Sequence, residues 1–340
     1  MSTATPLQAE APNQSEAPAQ NTANNALTEI AQACKAMGDP LRLAIVQLLG
    51  RGSFGVLELS EIFDTRQSGM SHHLKTLAQA GLVTRQREGN SIFYRRPLVT
   101  GEDAFSNWLR TSFQLLDQNP AELSTQERLK QVMADRSAQC AEFFERNAEA
   151  FREQQDLIAS WDQYGDVVES LLQELPVSNN TALEIGPGAG EFLQPLAQKF
   201  SQVMAVDISA PMLKQALNTA ESQGLDNVLG IVGDSHQLGS EYEQGYNLVA
   251  ANMVLHHMPE PKDLFAESRR LLATGGYLLI TDLCPHDQNW ARESCGDLWL
   301  GFEPDDLSAW AAEAGLAQEQ SQFLGLRNGF QIQFRLFYRA

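Results

Sequence analysis

Apolar residues return at helical spacing from Leu27 onward. Leu27, Ile30, Ala31, Cys34 and Met37 share one face, and Leu41, Ala44, Ile45, Leu48 and Leu49 share the next. The break between them is Gly38-Asp39-Pro40, where Asp39 can cap the second helix and Pro40 fits its first position. After a Gly-rich loop over 50–55, the pattern predicts helices over 56–63 and 67–80. The run LVTRQREGNSIFYRRPL then alternates as two strands around Glu88, Gly89 and Asn90, a hairpin signal. Four helices followed by a hairpin predict a winged helix-turn-helix over 26–102. Residues 103–175 are helix-compatible throughout, apart from Asn119 and Pro120, and predict a helical connector that also serves dimerisation, with Phe105, Trp108 and Phe113 packed. From Thr181 the rhythm changes: the apolar runs ALEIG, QVMAVDI, NVLGIVGD, YNLVAANMVL and GGYLLITD alternate with helical stretches such as 212–223 and 261–272. That alternation predicts a parallel α/β sheet over 176–340. The fold class is therefore multidomain, an α+β winged helix-turn-helix, a helical connector and an α/β Rossmann-like sheet.

Composition narrows this picture at a few points. Residues 1–25 are Ala, Gln, Asn, Pro, Ser and Thr with few large apolar side chains, and read as a disordered tail. The 340 residues, 43% hydrophobic and 20% charged, suit a soluble globular protein of more than one domain. There is no run of roughly 18 apolar residues to cross a membrane, and the first residues lack the order of a signal peptide, so a cytoplasmic location is expected. Cys34, Cys140, Cys284 and Cys295 are scattered without CxxC spacing, which points to reduced, mostly buried thiols rather than disulfides or a zinc ribbon. The net charge of −19 argues against nucleic acid until it is divided. Residues 27–100 carry nine Lys or Arg against six Asp or Glu, so one segment remains a plausible polyanion binder.

In that segment the helix over 67–80 is the reading element. Arg66, Gln67, Ser68, Ser71, His72, Lys75 and Thr76 offer hydrogen-bonding side chains to base edges and phosphates, while Met70, Leu74 and Leu77 face inward. The wing adds Arg85, Arg87, Asn90, Arg95 and Arg96 for phosphate or the minor groove. A winged helix can also serve protein contact, and His72 and His73 can be plain surface residues. The runs MGDPLRLAIVQLL and SGMSHHLKTLAQAGLVTRQREGNSIFYR closely resemble the ArsR-type winged-helix repressors. The resemblance implies a homodimer on a palindromic operator of double-stranded DNA. Many such repressors sense metal through a CxC pair on the first helix of the reading motif, or through Asp and His after the wing. This chain has VLELSEIF at the first place and no His over 103–116 at the second, so no metal is expected.

In the C-terminal part the central motif is ALEIGPGAGEFL. A strand ends at Ile185, and Gly186, Gly188 and Gly190 permit a turn that brings backbone amides close to a ligand. Glu184 can receive an ammonium or a loop amide. Asp207, at the end of the second strand and followed by Ile208, can accept two ribose hydroxyls, and Asp234, closing a third strand, can accept an adenine amino group. Gly190 follows Gly188 by two residues, not the three of a dehydrogenase fingerprint. The order of elements resembles class I S-adenosylmethionine-dependent methyltransferases. That resemblance implies S-adenosylmethionine (SAM) or S-adenosylhomocysteine (SAH) as ligand, held by Glu184, Gly186, Gly188, Gly190, Asp207, Ile208, Asp234 and Ser235, with Asn252 as a neighbour. His256 and His257 follow the fourth strand and either take a proton from an acceptor or serve as a cap and a solvated residue. Trp290, Trp299, Phe302 and Trp310 either roof a substrate pocket or fill core. Two readings follow for the whole. One, which the resemblance to ArsR-type repressors fused to such domains implies, is a regulator, in kind a repressor of methionine and SAH-cycle genes, whose methyltransferase-like domain senses SAM or SAH. The other is an active methyltransferase on a small molecule with an autoregulatory DNA-binding domain.

Overall fold

A computed structural model describes residues 17–89, 91–148, 151–177 and 180–340. Helix α1 (Ala17–Met37) begins ten residues before Leu27. Residues 17–25, read with the tail, are therefore helical, which Ala17, Ala19 and Ala23 favour and no Gly or Pro beyond Pro18 interrupts. The tail at 1–16 lies outside the described residues. Helix α2 (Pro40–Leu48) starts as expected, with Asp39 accepting the Arg42 amide at 3.0 Å. A two-residue strand β1 (Phe54–Gly55) precedes α3 (Val56–Ile62), and α4 (Gln67–Gln79) follows. The hairpin is β2 (Thr84–Glu88) with β3 (Ser91–Arg95), turned at Gly89 with φ +62°. β1 adds to it, pairing Phe54 with Tyr94, a strand too short to leave a periodic signal. The winged-helix core gathers Ile45, Leu59, Ile62, Met70, Leu74 and Leu77, all fully buried.

Helices α5 (Ala104–Asp117), α6 (Leu123–Asn147), α7 (Phe151–Ile158) and α8 (Trp161–Glu174) follow. The next unit is a seven-stranded sheet built from β4 (Thr181–Ile185), β5 (Gln202–Asp207), β6 (Val228–Val232), β7 (Tyr246–Asn252), β8 (Leu272–Leu283), β9 (Ala317–Gly325) and β10 (Gln331–Tyr338), in the order β6-β5-β4-β7-β8-β10-β9. Helices α9 (Leu193–Lys199), α10 (Ala210–Ser222), α11 (Asp263–Leu271), α12 (Trp290–Ser294) and α13 (Pro304–Glu313) lie between the strands. The five strands β4 to β8 run parallel, but β10 is antiparallel to both of its neighbours, so the sheet is mixed rather than wholly parallel. The reason is local: Asn328-Gly329 turns the chain between β9 and β10, with the Leu326 amide on the Phe330 carbonyl at 2.8 Å, leaving no room for a crossover helix. The β4-β7 seam is almost wholly apolar, as strands covered on both faces require.

The two units are joined by side chains as well as by chain. Arg136 of α6, 8% exposed, pairs with Glu58 of α3 at 2.6 Å and donates to the carbonyls of Ser53 and Pro259. Its guanidinium also lies 5.0 Å from the Phe54 ring centroid and 5.6 Å from those of Phe93 and Trp299. One cation thus touches the reading motif, the wing and the sheet domain. Among the described residues no helix is long and apolar enough to cross a membrane.

Candidate cofactor site and DNA-facing surface

The cavity opens at the carboxyl ends of β4, β5 and β7, where the strand order reverses from β4 and the backbones diverge. Gly186, Gly188 and Gly190 have φ of +66°, +56° and +89°, a region that favours glycine. A Cβ on Gly190 would sit 2.9 Å from the Ala216 carbonyl oxygen of α10, so this glycine lets the loop and that helix approach. A Cβ on Gly186 would run into the Val254 side chain. Glu184 is 1% exposed, and its Oε2 has no hydrogen-bond partner among the described residues. Burial, with the charges of Glu191 and Asp207 nearby, pushes its carboxyl up to about 8. Asp207 is pushed up to about 6 by burial, against the Ser209 amide that its Oδ1 accepts at 2.8 Å. Asp234 accepts the His236 amide at 3.0 Å, leaving its carboxylate beside Ser235, whose buried hydroxyl has no partner among the described residues. Asn252 donates to the Tyr164 hydroxyl at 3.2 Å while its Oδ1 has no partner among the described residues.

Gly186, Gly188, Asp207, Ile208, Asp234, Ser235, Asn252 and His257 line this cavity; Glu184, Gly190 and His256 are not among the lining residues. The orphaned oxygens of Ser235 and Asn252 on the wall, with that of buried Glu184 just before the lining residues Ile185 and Gly186, fit a nucleoside carrying an amino-acid tail. A bound SAM would supply an electrophilic methyl group there.

Part of the wall comes from an unexpected place. Cys140, Phe144, Phe151, Trp161 and Tyr164 of α6, α7 and α8 face the cavity, so the segment read as connector also forms its roof. Phe144 and Phe151 meet edge to face at 5.2 Å, and Phe144 meets His257 at 5.0 Å. The mostly polar α6 gives little sign of this; the spacing of Cys140 and Phe144 is the one trace. Trp290, Trp299, Phe302 and Trp310 do not line this cavity. Trp299 and Phe302 are core, Trp310 packs against Phe265 and Phe302, and Trp290 packs on Phe330, because the loop and α13 that carry most of them lie against the far side of β8 and β10.

His256 and His257 are both buried, so neither is solvated. Their one-turn 3₁₀ helix follows Met253, which holds φ +52° at the end of β7. Burial opposes a charge on His256, but Asp282, 2.8 Å from its Nδ1, and Asp297 outweigh it and lift the imidazole to about 9. Burial and the charge on His256 hold His257 well below its ordinary value. Asp282 and Asp297 went unnoticed in the sequence because each lies far along the chain from the histidines.

On the winged helix, Arg66, Gln67, Ser68, Ser71, His72 and Lys75 form an exposed strip of α4, with Thr76 half-buried and bonded to the His72 carbonyl. Arg85 and Arg87 are exposed on β2, and Asn90 lies outside the described residues. Arg95 and Arg96 are not free for phosphate. Arg95 pairs with Asp306 of α13 at 2.5 Å, and Arg96 pairs with Asp117 at 2.8 Å while bonding the Val46 carbonyl. The wing tip itself is docked. Glu88, 1% exposed, accepts the Leu300 amide at 2.7 Å, and Arg292 donates to the Glu88 carbonyl at 3.0 Å.

A winged helix-turn-helix carrying an exposed reading helix, followed by a Rossmann-like sheet with a glycine cradle, defines a helix-turn-helix protein with a SAM-type methyltransferase domain. The comparisons agree. A helix-turn-helix domain family matches residues 37–86 and a methyltransferase domain family matches 176–315. The arsenical resistance operon repressor of Bacillus subtilis is 39% identical over 74 residues, 22% of this chain and 70% of that protein. The chain belongs to the ArsR-type repressor family through its N-terminal part, with a methyltransferase domain joined to it. On the methyltransferase side, a polyketide synthase-nonribosomal peptide synthetase of Pyricularia grisea is 32% identical over 130 residues, 36% of this chain. The chain spans 3% of that relative's length. The crystal structure of a geranyl diphosphate C-methyltransferase from Streptomyces coelicolor is similar at 14% identity with a TM-score of 0.46, covering 55% of this chain and 84% of that one.

Proposed function

We propose that this protein is a DNA-binding transcriptional regulator whose methyltransferase domain binds SAM or SAH and controls DNA binding through the wing. The observation that carries this reading is a short run of hydrogen bonds from the His256 carbonyl to the Glu88 carboxylate. The His256 carbonyl, beside the cavity, accepts the amides of Leu298 and Trp299 at 3.0 and 3.1 Å, and the next residue, Leu300, gives its amide to Glu88 of the wing. A ligand that shifts the His256–His257 turn therefore acts on the residues that seat the wing tip. For regulation, that ligand must bind the docked and released forms with different affinity. Glu184 and the glycine loop would hold its amino-acid end, Asp207 its ribose and Asp234 with Ser235 its base. The strip from Arg66 to Thr76 would read the operator as a homodimer, and the genes controlled would be those of the methionine and SAH cycle. The aromatic wall of Phe144 and Phe151 beside His257 favours, as a second reading, methyl transfer to a small acceptor in the same cavity.

Calorimetric titration of the full chain with SAM and with SAH, alone and on its own promoter DNA, tests the regulator. Affinity for one ligand should change roughly 5- to 150-fold on DNA, the range of ordinary coupling energies, and DNA affinity must change by the same factor. Equal affinities with and without DNA would refute it and leave catalysis as the task of the domain.

A further inference from the structure

Beside the cofactor cavity lies a cluster that neither SAM binding nor DNA reading uses. The 3₁₀ turn at Leu255–His257 sets two consecutive imidazoles with ring centroids 4.1 Å apart, both at most 3% exposed. Facing them is Asp297, 2% exposed, on the loop after α12. Its Oδ1 lies 3.8 Å from His256 Nε2 and 3.8 Å from His257 Nδ1, a nitrogen that also stands 3.3 Å from the Gly296 carbonyl and would exchange that contact for the metal. Asp282, at the end of β8, accepts from His256 Nδ1 at 2.8 Å and also receives the Leu283 amide at 2.7 Å, which fixes the ring with Nε2 turned toward Asp297. Neither Asp297 oxygen, nor His256 Nε2, has a hydrogen-bond partner among the described residues. A buried carboxylate with no hydrogen-bond partner and only the two imidazoles at 3.8 Å is costly, and a shared cation is a compact remedy.

We propose that His256, His257 and Asp297 bind a divalent transition-metal ion of the zinc type, with Asp282 orienting His256 from behind. Two imidazoles and a carboxylate are a borderline donor set that suits such an ion. Tetrahedral bonds of about 2.0–2.1 Å place neighbouring donor atoms about 3.4 Å apart. The 3.8 Å separations need to close by only a few tenths of an ångström, and one donor atom from each of the three residues lies within 4.8 Å of the others. Asp282 supplies the carboxylate–histidine support that metal sites use to fix a ring. His257 lines the cofactor cavity, which gives the ion its way in. The site stands whether or not the domain senses SAM.

The test uses the full chain, stripped with chelator, in a Cys34→Ser background because that thiol is exposed. Cobalt(II) titration followed by visible absorption, with elemental analysis after equilibrium dialysis against zinc, should find one ion per chain and no thiolate-to-cobalt charge-transfer band. Asp297→Asn and His257→Gln should each weaken binding by 100-fold or more, and Asp282→Asn by about 10- to 100-fold. His73→Gln, beside Asp39 on the winged helix, should leave metal binding unchanged. Zinc should also raise the Tm of the parent chain, a readout that needs no folded variant. Absence of stoichiometric metal from the parent chain, a thiolate band, or full binding by folded Asp297→Asn and His257→Gln would overturn the proposal.

Discussion

Glu184 offers the sharpest quantitative test, because the fold holds its carboxyl where ionisation is expensive. Its ordinary value is 4.5 and its value in the folded, ligand-free chain is about 8. For an acid raised on folding, stability is fully present below the unfolded value and is lost as pH rises through the folded one. A shift of this size corresponds to about 5 kcal/mol once pH exceeds 8, and to about 3 kcal/mol at pH 7. Glu184→Gln keeps the shape and removes the charge. It should therefore leave the Tm of the ligand-free chain nearly unchanged at pH 5, raise it by roughly 6 to 12 °C at pH 7, and raise it further at pH 9. Scanning calorimetry of both chains at the three pH values isolates the residue, since every other titrating group is common to both. The gain in stability should come with a loss of ligand. An ammonium beside Glu184 favours the carboxylate, so binding of SAH to the parent chain below pH 8 should release up to one proton, and affinity should rise with pH toward 8. Calorimetry in buffers of different ionisation enthalpy measures that release, which Glu184→Gln should abolish. A Tm difference independent of pH would refute the burial argument, and binding without proton release would refute the ammonium contact.

Three other outcomes are expected. Asp207→Ala should abolish SAH binding in calorimetry while leaving the circular dichroism spectrum intact; retained affinity would remove Asp207 from the ribose site. Arg87→Ala, on the exposed edge of the wing, should weaken operator binding and lower the slope of log affinity against log salt by about one, read by fluorescence anisotropy at several salt concentrations. Glu88→Ala leaves the buried Leu300 amide unpaired and should free the wing, with tighter operator binding and no remaining influence of SAH on it; an unchanged response to SAH would place the coupling elsewhere.

Much of this molecule was readable residue by residue. Asp39 with Pro40 acts within a few positions, and the inward row Met70, Leu74 and Leu77 and the glycines after Ile185 recur at short regular spacings, so spacing exposes them even where their partners, such as Ala216 for Gly190, lie farther along the chain. The docked wing is of another kind. Glu88 looks like a solvated strand residue, and its partner is a backbone amide 212 residues away, which no local pattern records. Arg95 and Arg96 were misread for the same reason, since a wing arginine aimed at phosphate and one paired with a distant aspartate have the same sequence. The roof from Cys140 to Tyr164 was hidden because α6 and α7 carry mostly polar residues around a narrow apolar edge.

The seat of the wing has a consequence for anyone wishing to exchange the helix-turn-helix domain of this protein. Glu88, Arg95 and Arg136 belong to the DNA-reading half and its support, while Arg292, Leu300 and Asp306 belong to the other half, and each set is shaped to the other. A hybrid that exchanges residues 37–86 alone keeps the native wing tip on its seat but gives up Glu58, and with it the ion pair that anchors Arg136. A graft that carries a foreign wing without residues 292–306 would inherit a new operator and an orphaned receiver. The transferable unit is the reading head together with the loop on which it rests.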